Sequence, residues 1–311
     1  MGQRICVTGA SGQAGRAVAR DLREHGYDVL ATDIAVTRPD REAGMLRADL
    51  TDFGQAVEAL RGAEAVVHLA NIPAPGLETP AVTFNSNITM NYNVFTAAAS
   101  LGLSRVVWAS SETTLGLPFD VPPRYAPVDE DHYPFPTSSY ALSKVASETI
   151  AGHIAQWSGI PFVALRFSNI MAADDYDWFR EFWADARSRR WNLWGYIDER
   201  DVAAACRLAL TAPADAVAGS PSFIIAAADT VMNRPSADLL AEVFPGVELK
   251  RDVGEFGTLL AIDRARTVLG FEPAHSWRDH VAAAAPADAT SGNGAPAQAA
   301  APASGAEPRE P

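Results

Sequence analysis

Tyr140 and Lys144 stand four residues apart in the run Tyr140-Ala141-Leu142-Ser143-Lys144. On a helix that spacing puts both side chains on one face. A phenol ordinarily keeps its proton up to a pH of about 10. A neighbouring ammonium favours the phenolate and lowers that value toward neutrality. Such a phenol can exchange a proton with the hydroxyl or carbonyl oxygen of a substrate. Of the 25 basic residues, only Lys144 and Lys250 are lysines. A compact ammonium at position 144 suits this chemistry better than the planar guanidinium the chain uses elsewhere.

A second group of residues is suited to phosphate. The run Thr8-Gly9-Ala10-Ser11-Gly12-Gln13-Ala14-Gly15 lies between an apolar strand and a helical pattern. Gly9 allows a tight turn, Gly12 lets the backbone approach a pyrophosphate, and Gly15 lets helix and strand pack closely. The start of the helix offers backbone N–H groups and the positive end of its dipole. Asp33 follows Gly15 by 18 positions, at the end of the second strand. A carboxylate there accepts hydrogen bonds from ribose hydroxyls and repels a 2′-phosphate. With Ile34 next in line the site favours NAD; Arg38 is the feature that points toward NADP.

The Gly-x-x-Gly-x-x-Gly spacing followed by Tyr-x-x-x-Lys resembles the short-chain dehydrogenase/reductase superfamily. The run Ser110-Ser111-Glu112-Thr113-Thr114-Leu115-Gly116 resembles its extended members, the NAD-dependent epimerase/dehydratase branch. So do Arg166-Phe167-Ser168-Asn169 and Tyr196-Ile197-Asp198-Glu199-Arg200-Asp201-Val202-Ala203. The resemblance covers residues 3–280. It implies a doubly wound parallel Rossmann sheet with a small C-terminal substrate-binding region. It also implies that Ser111 holds the reacting oxygen beside Tyr140, and that Lys144 tunes the phenol and grips the nicotinamide ribose. Ser11, Gln13, Ala14, Asp49, Leu50, Leu69, Ala70 and Asn87 would join the glycines and Asp33 around the cofactor, with Asn91 and Asn93 competing for the role of Asn87. Glu112, Thr113 and Asn169 would face the substrate, and Asp201 would start a helix. The other reading of Ser111 is a turn cap.

Departures from the branch narrow the chemistry. Its sugar dehydratases carry an Asp-Glu pair where this chain has Glu112-Thr113, so elimination is disfavoured. Epimerisation beside a ketone would need a nearby Cys, and Cys206 is distant. Only 26 residues separate Asn169 from Tyr196, which suggests a small substrate, as in relatives that look like hexuronate dehydrogenases. The expected activity is hydride transfer between NAD and a secondary alcohol or ketone of a small sugar-like molecule. The alternatives are a nucleotide-sugar epimerase that retains its NAD and, in another class, a non-catalytic dinucleotide sensor.

These residues need a scaffold. Short apolar strands at 5–8, 27–33, 65–70, 106–110, 162–167 and 222–227 alternate with helical patterns at 16–25, 54–61, 81–101, 138–157, 198–211, 235–244 and 262–270. That alternation predicts a parallel sheet covered by helices on both faces. Residues 1–170 form the expected dinucleotide domain, 171–281 a small substrate region, and 282–311 a disordered tail rich in Ala and Pro. The Pro-rich stretch 117–136 reads as a substrate-side loop. Trp178, Trp183, Trp191 and Trp194 read as packing or as an apolar pocket wall. His68 is expected to pack beside the adenine, and His132 either packs or reaches substrate.

The 311 residues carry 38 acidic side chains against 25 basic ones, a formal charge of −13. That disfavours nucleic acid and anionic membrane as partners. Cys6 and Cys206 both lie in apolar runs and read as buried thiols in a reducing, cytoplasmic setting. No metal-ligand spacing is present, and an apolar strand begins too early to leave room for a targeting peptide. The long helices 81–101 and 138–157 resemble those that form a four-helix homodimer interface in the family.

Overall fold

Strands that read as unbroken apolar runs must be covered on both faces. Ile5, Cys6, Val7, Val66, Val67, Val106, Val107, Trp108, Val163 and Leu165 are all fully buried. The computed structural model describes residues 2–36 and 45–283 of the chain. Its elements are, in order, β1 (Arg4–Thr8), α1 (Gln13–Glu24), β2 (Asp28–Asp33), β3 (Met45–Arg47), α2 (Phe53–Leu60), β4 (Ala65–His68), α3 (Pro80–Leu101) and β5 (Arg105–Ser111). They continue as β6 (Tyr125–Ala126), α4 (Ser139–Ser158), β7 (Phe162–Phe167), β8 (Ile170–Met171), β9 (Ile197–Asp198), α5 (Glu199–Thr211), β10 (Ser222–Ile225), α6 (Ser236–Val243), β11 (Glu248–Leu249) and α7 (Trp277–Ala283).

Seven strands form one parallel sheet in the order β10-β7-β5-β4-β1-β2-β3. One face packs on α1 and α5 through Val18, Leu22, Val202 and Cys206. The other packs on α2, α3 and α4 through Leu60, Phe95, Ile154 and Ala155. The strand order reverses between β1 and β4. In such sheets the crevice at the carboxyl ends of the strands, beside the reversal, receives the ligand. Ser111 ends β5, and the glycine run, Leu69-Ala70 and Asn169 follow the carboxyl ends of other sheet strands.

A third apolar cluster lies beyond the sheet. It gathers Leu115, Leu117, Phe119, Tyr176, Trp194, Tyr196, Leu240, Leu260 and Trp277. The Pro-rich stretch contributes to it, so much of that stretch is packed core. Trp194 is fully buried, and Trp183 lies against Trp277 with ring centroids 5.2 Å apart. These tryptophans therefore pack, while Trp178 is 37% exposed.

Several boundaries differ from the sequence expectation. Helix α1 starts at Gln13 rather than near residue 16, because Gly15 lies against the Gly9 carbonyl and already belongs to the first turn. The third strand β3 is too short, at three residues, to leave a periodic signal. Residues 265–269 wind as a π-helix turn. Arg38 and most of the expected tail, residues 284–311, lie outside the described residues. Among the described residues no helix is long and apolar enough to cross a membrane.

Candidate active site

At the glycine run, backbone crowding dictates residue type. Gly9 has φ +68°, and a Cβ there would meet the Ala70 backbone nitrogen at 2.6 Å. A Cβ on Gly15 would meet the Gly9 carbonyl oxygen at 2.1 Å. No side chain caps the start of α1, so its first turn faces the crevice without a protein acceptor from a capping residue. Asp33 lies beside it and accepts hydrogen bonds from the backbone N–H groups of Ser11 and Ala35, both at 2.9 Å. A glycine-lined turn, an uncapped helix start and a carboxylate at the end of the second strand together fit a dinucleotide.

The neighbouring residues divide into those that face this crevice and those that hold it. Thr8 Oγ1 accepts from the backbone N–H groups of Leu69 and Ala70 at 3.2 and 3.3 Å. That hydroxyl also bonds His68 Nδ1 at 2.7 Å, and His68 Nε2 bonds Asn91 Oδ1 at 2.9 Å. Burial pushes the His68 imidazole down to about 3, so it is neutral, as packing predicts. Asn87 accepts from Ile72 N–H at 2.8 Å and donates to the Ile72 carbonyl at 3.1 Å and to Ser143 Oγ at 3.5 Å. Asn91 donates to Ser147 Oγ at 2.7 Å. Asn93 instead donates to the Leu50 and Thr51 carbonyls, so Asn87 and Asn91 are the two on the side of α4. Asp49 is held in a local turn, where its Oδ1 accepts from Thr51 N–H and Oγ1–H at 2.9 and 2.7 Å. Leu50 belongs to the core beneath.

Helix α4 opens with Ser138, whose Oγ accepts from Ala141 N–H at 3.2 Å. Tyr140 therefore sits in the first turn, with Lys144 one turn on. Tyr140 is 8% exposed and Lys144 only 1%. The Lys144 ammonium lies 5.5 Å from the Tyr140 ring centroid and donates to the Ala109 carbonyl at 2.8 Å. Helix α4 is thus fastened to β5 at the level of the site. Ser111 takes the turn-cap part foreseen for it. It caps the short turn Glu112–Leu115, accepting from Thr113 N–H at 3.2 Å and Thr113 Oγ1–H at 3.0 Å. Its hydroxyl also favours the ionised form of the Tyr140 phenol.

The proton affinities differ from what spacing alone suggests. Burial pushes the Tyr140 phenol up to about 12, with the Ser111 bond acting against that and the Glu112 charge adding to it. Burial also pushes Lys144 down to about 7, against the pull of the Glu148 carboxylate. The spacing argument treats the ammonium as solvated and charged. Inside the fold the cost of holding an unpaired charge falls on both groups.

Behind this trio lie two side-chain sets whose members Glu148, Arg189 and Asn192 escaped the sequence reading. Arg166 donates from Nε and Nη2 to both Glu148 oxygens at 2.9 and 2.8 Å, and Ser110 Oγ donates to Glu148 at 2.6 Å. This ties β7 to α4 one turn beyond Lys144. The second set surrounds Glu112, which is 3% exposed. Glu112 Oε2 accepts from Ser168 Oγ at 2.6 Å and Oε1 from Asn192 Nδ2 at 3.2 Å. Arg189, 5% exposed, lies between the Phe182 and Trp191 rings. With the Asn169 amide oriented to suit its neighbours, its oxygen accepts from Arg189 Nη2 at 3.0 Å and Nη1 at 3.3 Å. Ser168 was legible as part of Arg166-Phe167-Ser168-Asn169. Arg189 and Asn192 sit in an irregular turn, where no periodicity marks them.

His132 packs within the long loop, accepting from Arg124 N–H at 3.3 Å and stacking on Tyr133. Asp201 accepts from the backbone N–H groups of Ala274 and His275, which anchors the end of the described chain to α5. Cys6 and Cys206 are buried free thiols.

Comparison with known proteins adds four findings. The family profile described as NAD dependent epimerase/dehydratase matches residues 5–226. A UDP-glucose 4-epimerase of Corynebacterium glutamicum is 28% identical over 176 residues, 55% of this chain and 52% of the epimerase. An L-arabinose 1-dehydrogenase (NAD(P)(+)) of Haloferax volcanii is 30% identical over 182 residues, 55% of this chain and 69% of that enzyme. The chain thus spans about half the length of the epimerase and about two thirds of the dehydrogenase. A short-chain dehydrogenase/reductase superfamily protein from Agrobacterium tumefaciens, solved with bound NAD, shares the fold. Its TM-score is 0.69 at 24% identity, covering 91% of this chain and 96% of that one.

Proposed function

Because this chain belongs to the NAD dependent epimerase/dehydratase family, we propose that it is an NAD-dependent oxidoreductase acting on a small sugar-like substrate. The bound nicotinamide would accept or supply a hydride at the carbon bearing a secondary hydroxyl or a ketone. The glycine run from Gly9 to Gly15, with Ser11, Gln13 and Ala14, would hold the pyrophosphate. Asp33 would hold the adenosine ribose. Asp49, Leu50, Leu69, Ala70 and Asn87 would complete the cofactor wall.

The observation that carries this reading is that Lys144 lies 5.5 Å from the Tyr140 ring and donates to the Ala109 carbonyl of β5, the strand that ends at Ser111. Ser111 would orient the reacting oxygen. Tyr140 would give its proton to a carbonyl oxygen in reduction, or take one from a hydroxyl in oxidation. A phenol held protonated at neutral pH is ready for the first task. The second requires it to ionise, so oxidation is expected to speed up as pH rises. Glu112, Thr113 and Asn169 would bound the substrate side, with residues 171–281 as the substrate region.

A second reading, a nucleotide-sugar epimerase that keeps its NAD, is favoured by the likeness to UDP-glucose 4-epimerase. The 26 residues between Asn169 and Tyr196 favour the first reading, since they form a two-residue strand and two 3₁₀-helical stretches with no longer insertion. A screen of aldoses, uronic acids and nucleotide sugars, followed by absorbance of reduced cofactor, separates them. Stoichiometric NADH formation is the expected outcome. Tyr140→Phe should keep NAD binding and lose about 10²–10⁴ in turnover. Full turnover in that variant refutes the assignment.

The outer faces of α3 and α4 leave Val82, Tyr92, Leu142 and Trp157 exposed, Trp157 by 70%. They support a homodimer through these helices, which sedimentation of the chain and of Trp157→Glu would test. The buried free thiols of Cys6 and Cys206 support a reducing compartment such as the cytoplasm.

A further inference from the structure

The backbone of Ala70, which follows β4, is held at both its N–H and its C=O by side chains that meet on His68. At the first end Ala70 N–H donates to Thr8 Oγ1 at 3.3 Å, and Leu69 N–H, shared with the Thr8 carbonyl, donates to it at 3.2 Å. A hydroxyl accepts twice and donates once. Thr8 therefore sends its own proton to His68 Nδ1, 2.7 Å away. At the other end the Ala70 carbonyl accepts from Asn71 Nδ2. A carbonyl only accepts, so that amide nitrogen is fixed in place, and it also donates to Asn91 Oδ1 at 3.1 Å. Asn91 Oδ1 faces His68 Nε2 at 2.9 Å, while Asn91 Nδ2 donates to Ser147 Oγ at 2.7 Å. Counted from either end, the imidazole has one arrangement: Nδ1 accepts and Nε2 carries the proton.

These bonds close a ring through Ala70, Thr8, His68, Asn91 and Asn71. Thr8, His68 and Asn91 are wholly buried. A buried polar group that loses its partner costs more than the bond itself contributes, so the ring holds as a unit. It joins β1, β4 and α3, and through Asn91 and Ser147 it reaches α4 three residues beyond Lys144. Ala70 is also the backbone that crowds the glycine turn. A Cβ on Gly9 would meet its nitrogen at 2.6 Å and its Cα at 2.9 Å. We infer that His68 is a positioning residue for the dinucleotide, whose Nε2–H form locks the Ala70 backbone against the Gly9 turn and fixes that side of the crevice relative to α4. An imidazole carrying a proton on Nδ1 would be a third donor aimed at Thr8 Oγ1, and the ring has no place for it. His68 does pack, as its sequence context predicts, but both of its ring nitrogens are in use.

This inference rests on the reading of the glycine run as the dinucleotide site, and its test does not need turnover. NAD affinity of the full chain is measured by calorimetry on variants with a normal unfolding transition. Thr8→Val removes the hydroxyl at nearly constant shape and should weaken NAD by roughly five- to tenfold. Thr8→Ser keeps the hydroxyl and should bind as the unmutated chain does. His68→Leu should match Thr8→Val, and the double variant should lose no more than either, because one broken link already opens the ring. Unmoved affinity in Thr8→Val, or losses that add in the double variant, overturns the inference. If these variants do not fold, the isotope-labelled ring nitrogens of His68 in the unmutated chain decide. A proton on Nε2, a bare Nδ1 and an Nδ1 signal that moves on saturation with NAD support the inference. A proton on Nδ1, or a signal that NAD leaves in place, overturns it. A folded Gly15→Ala chain with full NAD affinity would sink the glycine-run site and this inference with it. Loss of NAD in Gly15→Ala with unmoved affinity in Thr8→Val would sink the role of His68 alone.

Discussion

The buried acid Glu112 makes a thermodynamic prediction. Burial pushes Glu112 up from 4.5 to about 7, against the hydrogen bonds from Ser168, Asn192 and Asn169 and the Arg189 charge. Between those two pH values the folded chain holds a proton that the unfolded chain has released. Stability from this residue is therefore fully present below pH 4.5, falls as pH rises, and levels off above about 7. At about 1.4 kcal/mol per pH unit, the gap corresponds to about 3 kcal/mol. Glu112→Gln cannot ionise. Its amide oxygen can still accept from Ser168, and the buried Asn192 Oδ1, which has no partner among the described residues, can accept from the new amide if that side chain turns. Any cost of that adjustment is independent of pH. The stability difference, variant minus unmutated chain, should thus be flat below pH 4.5 and rise by about 3 kcal/mol by pH 8. Urea unfolding at a series of pH values measures it. A difference that stays constant across the window would refute the claim that Glu112 is a buried acid titrating near neutrality.

Other perturbations have equally definite outcomes. Gly15→Ala would place a Cβ 2.1 Å from the Gly9 carbonyl oxygen and 2.7 Å from Ala10 Cα, both backbone atoms. It should cost about 1–3 kcal/mol of stability and abolish NAD binding, measured by calorimetry. Arg166→Met would leave the partly buried Glu148 with Ser110 to donate to it from β5, and should destabilise the chain by about 1–3 kcal/mol in urea. Cys6 is pushed up to about 12 by burial, and burial also raises Cys206. A disulfide reagent should therefore label neither thiol in the folded chain within the time that it labels both in urea.

The parts of this protein that were legible in its residues are those where one local requirement decides the outcome. The strand β7 was legible to the residue because Phe162 to Phe167 is apolar enough to be buried on both faces. Gly9 and Gly15 were legible because backbone crowding admits nothing else. Tyr140 and Lys144 were legible because a helix forces residues four apart onto one face. What stayed hidden depends on distant segments meeting. Glu112 reads as a substrate-facing acid, and its burial shows only when Ser168, 56 positions away, and Asn192, 80 positions away, are placed on it. Arg189 lies in the run Arg187-Ser188-Arg189-Arg190, which reads as solvated charge. Only the aromatic walls of Phe182 and Trp191 bury it. The proton affinities of the legible pair were hidden for the same reason. Helical spacing places Lys144 beside Tyr140, but the closing of α4 onto β5 buries the ammonium and pushes it down to about 7. The ease with which Tyr140 gives up its proton is therefore a property of the packed site around it and not of the motif's spacing alone.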